Sequence, residues 1–81
     1  MKLKDTVDLM VSEDYKDRFK AEYLQLKIRY ESLQEMVKKW DKGELDFTPT
    51  CSRDVYRMQL EGMAKYLLIL DTRKELEGIE I

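Results

Sequence analysis

The chain has 81 residues, 15 of them Lys or Arg and 17 Asp or Glu, with no histidine, one cysteine and one proline. That length holds one domain at most and gives a marginal core, so self-association is expected to support the fold. Without histidine, and with Cys51 alone, the chain cannot build a zinc cage, a disulfide framework or a Ser-His or Cys-His nucleophile. The expectation is a non-catalytic protein with no metal and no cofactor.

Residues 1–11 carry Leu3, Val7 and Met10 at helical spacing, with Asp5 or Thr6 as a cap, and read as a short arm or short helix. Ser12, followed by Glu13 and Asp14, reads as the N-cap of a long helix over about 13–42. Phe19, Tyr23, Leu26, Tyr30, Leu33, Val37 and Trp40 then recur at alternating steps of four and three, the seam of a helix laid against another helix. Gly43 is its expected stop. A rod about 43 Å long cannot fold back on itself, so that seam needs a partner.

Residues 43–48 form the expected connection, and Thr48–Pro49 reads as an N-cap with proline at the first helical position. The second helix is predicted over about 49–77, with its seam at Tyr56, Gln59 or Leu60, Met63, Tyr66 or Leu67, and Leu70. Gly78 ends it, ahead of an apolar tail of Ile79 and Ile81. A short connection makes the two helices antiparallel neighbours. The predicted fold is therefore all-α: an antiparallel two-helix hairpin over 12–81 behind an N-terminal arm.

The hairpin leaves apolar surface over. Leu24 and Ile28 lie roughly opposite the first seam, and the run Tyr66-Leu67-Leu68-Ile69-Leu70 covers most of a helix circumference. Leu24, Ile28, Leu68 and Ile69 are thus the expected surface for self-association or for docking of the arm. The hairpin tip gathers Lys38, Lys39, Lys42, Arg53 and Arg57 around Trp40, Phe47 and Tyr56, a composition suited to phosphates and stacked bases. Asp41, Glu44, Asp46 and Asp54 nearly cancel that charge, so residues alone favour a solvated turn. Cys51, in the expected first turn of the second helix, reads as a buried structural residue, and Gln59 as a cross-hairpin hydrogen-bonder. The five tyrosines are expected to pack their rings and put their hydroxyls at the rim. Arg73 falls beside the start of the first helix, with Arg18 and Lys20 near it and Glu75 and Glu77 as ordinary ion-pair partners. A net charge of −2 argues against broad DNA binding. No apolar run approaches the roughly 20 residues of a membrane span, and no signal peptide is visible, so the cytoplasm is the expected location.

The strings SEDYKDRFKAEYLQLKIRYESL at 12–33, LDFTPTC at 45–51, MQLEGMAKYLLIL at 58–70 and the RKELEGIEI ending resemble small helical-hairpin proteins of phages and prophages. That group is similar to the hairpin domain of the anti-defence sponges that act against CBASS and Thoeris. The resemblance implies a homo-oligomer, in the cytoplasm of a bacterial host, that holds an intact cyclic di- or trinucleotide or cyclic ADP-ribose-type signal between subunits. It further implies Tyr23 as a base-stacking ring, Lys38 as a phosphate contact and Arg73 as a second phosphate-binding group. Fifteen residues of helix set Tyr23 and Lys38 roughly 22 Å apart, so only two chains crossing antiparallel bring them to one ligand. The alternative reading is a protein-interaction module that docks on a host or phage protein through the surplus apolar face.

Overall fold

The computed structural model describes residues 1–81. Its elements, in order, are a 3-10 turn over Leu3–Thr6, a single α-turn α1 over Val7–Met10, and two long helices, α2 over Tyr15–Asp41 and α3 over Arg53–Glu77. There are no strands. Glu22–Tyr66, Tyr23–Asp71 and Tyr15–Glu77 pair at one end and Asp41–Arg53 at the other, so α3 runs antiparallel to α2.

Both helix starts differ from the sequence expectation. Asp14, not Ser12, caps α2: its carboxylate accepts from the Lys16 amide at 2.9 Å, while the Ser12 hydroxyl accepts from the Asp14 amide and donates to Asp17. In α3 the cap is Ser52, whose hydroxyl accepts from the Val55 amide at 3.3 Å, rather than Thr48 ahead of Pro49. The connection is longer as a result. Proline only permits a helix start, whereas this start is fixed by where α3 meets α2: Tyr56 packs edge-on against Trp40 at 5.8 Å, and Arg53 forks onto Asp41 at 3.1 and 3.3 Å. Cys51 accordingly lies outside the helix and is exposed, not a buried structural residue.

The helix ends agree with the glycine reading. At Gly43 (φ 71°) the amides of Gly43 and Glu44 return to the carbonyls of Trp40 and Lys39, and Gly78 (φ 66°) repeats the motif. That second reversal turns the chain so that Ile79 drops into the core beside Phe19, Tyr23 and Leu70. The core is small, with seven of 81 residues buried. Thr6, fully buried, anchors the arm: it donates to the Leu3 carbonyl and accepts from the Gln25 amide at 2.8 Å. The arm packs on α2 rather than α3, which half-covers Leu24 and Ile28.

Candidate functional site

The hairpin tip does not form a cationic cluster. Arg53 is paired with Asp41, Arg57 with Asp54 at 2.9 Å and Glu61 at 2.7 Å, and Lys38 with Glu35 at 3.6 Å. The Arg57 guanidinium holds the Asp54 carboxyl below its ordinary pKa. Beside these pairs a groove of about 550 Å³ is walled by Glu31, Glu35, Glu44 and Asp46 against Lys39, with Phe47 at its edge. Its field opposes an anion. The charge-balanced turn read from the sequence is what the tip carries.

The closing end of the hairpin is tightly cross-linked. The Tyr15 hydroxyl donates to Glu77 at 2.6 Å, and Arg73 donates to Glu77 at 3.1 Å and to the Tyr15 oxygen at 2.8 Å. The same guanidinium lies 5.0 Å from the Phe19 ring centroid, a cation–π contact. The Tyr15 hydroxyl, with help from Arg73, lowers the Glu77 pKa. A carboxyl depressed in the folded state adds stability above its unfolded pKa and loses it as pH falls through the folded one. Acid titration followed by NMR should therefore show Glu77 protonating below an ordinary glutamate, with the Tyr15 and Phe19 ring signals moving in step. Titration at the usual glutamate pKa would contradict the clamp.

Tyr23 stands one turn along α2. Its ring is 9 % exposed, its hydroxyl donates to Asp71 at 2.7 Å, and Lys74 covers it at 5.5 Å. Hydrogen bonding to the Asp71 carboxylate, then burial, raises its pKa. Tyr23 is a core residue in the single chain, with no open face for a base. Arg73 shares this end of the hairpin, while Lys38 sits at the opposite end; one chain does not bring the three together. Gln59, expected to bond across the hairpin, is exposed and makes no hydrogen bond to a tyrosine.

The α3 surface opposite the core carries a second apolar stripe. Val55, Met58, Gly62, Ile69 and Leu76 share one face at 100° per residue, and Ile69 and Leu76 are 49 % and 82 % exposed. Leu68, 65 % exposed, projects one step to the side. Gly62 sits mid-helix, where glycine costs about 1 kcal/mol against alanine. A Cβ there would meet nothing within 4 Å, so packing within the chain gives no reason for it.

No group of His, Cys, Asp or Glu side chains is arranged to hold a metal ion, and no helix is long and apolar enough to cross a membrane. No curated protein and no solved structure matches the chain significantly. One family model does, and it spans residues 13–76, from the cap region of α2 nearly to the end of α3. Both long helices and the connection between them lie inside that match, so the chain belongs to the Sequestin family.

Proposed function

We propose that this protein is a non-catalytic, self-associating receptor that sequesters a cyclic nucleotide signal of bacterial immunity in the host cytoplasm. The observation that carries the reading is the Sequestin match across both long helices, a family whose name denotes sequestration. The resemblance of the EY, RY, QL and YL strings to phage sponge hairpins supplies the ligand class.

Self-association draws support from the outer face of α3. A second copy laid antiparallel across Gly62 covers Met58 and Ile69, and the bare glycine backbone permits close approach. That orientation also sets Lys65, which has no carboxylate partner in its own chain, against Glu61; a parallel one sets like charges together. Leu68 flanks that assembly, whereas Leu24 and Ile28, on α2 and half-covered by the arm, lie outside it. Lys38 is the proposed phosphate contact delivered by a neighbouring copy, because its exposed link to Glu35 is weak and easily exchanged. Tyr23 and Arg73 serve the site by fixing the closing end, and they meet ligand only through an exchange of their present partners.

A melting series with cyclic di- and trinucleotides and cyclic ADP-ribose tests the reading. At a hundredfold excess over Kd, linkage adds about 2.7 kcal/mol, which raises the Tm of a domain this size by about 10 °C or more. The nucleotide should be recovered intact after denaturation, and Lys38→Glu should weaken the shift. A flat response across the series, with the oligomer present, favours the alternative, a module that docks on a host or phage protein.

A further inference from the structure

Five arginines occur in the chain. Arg53, Arg57 and Arg73 each hold a carboxylate. Arg18 and Arg29 do not: Arg18 donates only to the Ser12 carbonyl at 2.8 Å, and Arg29 has no hydrogen-bond or ion-pair partner. They stand eleven residues apart on α2, close to three turns, so both project from one face with a rise of roughly 16 Å between them.

Both open into the same groove, between the arm on one side and α3 on the other. One segment holds about 300 Å³ and is walled by Met10, Arg18, Gln25, Leu26, Arg29 and Tyr66. The next holds about 400 Å³ over an apolar floor of Leu3, Ile28, Leu33, Met36 and Met63, with Gln59 at its rim. Arg29 belongs to both segments. Each volume suits a small-molecule site. Glu22 is the one carboxylate in the groove, and the Tyr66 hydroxyl caps it from α3. Two forked cations against one capped carboxylate contrast with the acidic groove at the tip.

We propose that this groove is the subunit's own anion-recognition pocket, for a ligand that joins a planar ring to more than one phosphate. Arg29, common to both segments, takes a phosphate in bidentate fashion, and Arg18, roughly 16 Å along α2 and held to the Ser12 carbonyl, adds positive field at the arm end of the groove. The ring lies on the Leu33, Met36 and Met63 floor, where Gln59 has a free amide to read its edge. The pocket deepens the sequestering reading and rests on it for the ligand's biological identity, although its chemistry stands without it.

The test follows the arginine Nε–Hε signals by NMR while inorganic pyrophosphate, and separately cyclic di-AMP, is titrated into the full chain. The expected result is movement of the Arg29 signal with either titrant while those of Arg53, Arg57 and Arg73 stay in place. Arg29→Ala should weaken binding by roughly ten- to a hundredfold, the usual worth of a charge-assisted hydrogen bond, and Arg18→Ala by less, both with unchanged helical circular dichroism. Response to pyrophosphate at Arg29 with silence toward every cyclic nucleotide supports the pocket and removes the sequestering reading. Nucleotide binding that leaves both signals and both variants unaffected overturns the pocket and keeps that reading. Movement at other arginines, or at none of the five, overturns the pocket as well.

Discussion

Phe19→Ala should cost about 3–5 kcal/mol, the usual range for emptying a buried aromatic site. Phe19 is 2 % exposed, is clustered with Tyr23, Leu70 and Ile79, and is covered by the Arg73 guanidinium. A domain of this length has a total stability of roughly 4–12 kcal/mol, so one truncation removes a large share of it. The Tm should fall by at least about 12 °C. Val11→Ala makes the matching control, because that side chain is 69 % exposed and lies off the α3 stripe, so its loss should stay within about 0.5 kcal/mol. Near-equal melting of the two variants would show that the core described here does not hold the hairpin together.

The paired substitution Met58→Glu with Ile69→Glu should turn an oligomer into a monomer without lowering helical content. Both side chains lie on the outer stripe of α3, at 59 % and 49 % exposure, so the folded subunit tolerates charge there. In the proposed assembly each of these half-exposed side chains buries surface worth about 0.8–1.6 kcal/mol, roughly half of a full transfer, and the symmetry counts it on both copies. Light scattering at micromolar concentration reads the outcome. Leu68→Glu, displaced by 100° around the helix, should weaken assembly less. A parent chain that is already monomeric removes the self-association reading, and an oligomer that survives the double change moves the interface to another face.

The heptad seam was readable because burial and period coincide: Phe19, Tyr23 and Val37 are buried in α2, and Leu70 in α3. Leu26, Tyr30, Leu33 and Trp40 stay half-exposed, since one helix can cover only part of another. Gly43 and Gly78 were legible for a local reason, the left-handed backbone each supplies. The helix starts were not. Ser12 and Asp14 are both good caps, and Ser52 displaced Thr48 because the Trp40–Tyr56 and Asp41–Arg53 contacts decide where the second helix begins. Those contacts join distant parts of the chain. Tyr23 shows the same limit at the level of the site, since an aromatic on the seam edge reads equally as core or as stacking platform until Asp71 and Lys74 are found against it. Arg29 carried no signal in its own neighbourhood; it stands out only when every other arginine except Arg18 is seen to hold a carboxylate.

The arm packs on α2 alone, and no residue of the hairpin core comes from it. Lifting it breaks the Thr6–Gln25 bond and uncovers Leu24 and Ile28, yet leaves Phe19, Tyr23, Leu70 and Ile79 in place. Releasing the first ten residues and parting the long helices therefore break separate sets of contacts. The groove that Leu3 and Met10 border thus has one fixed bank and one detachable bank, so its width can change while the rods stay zipped.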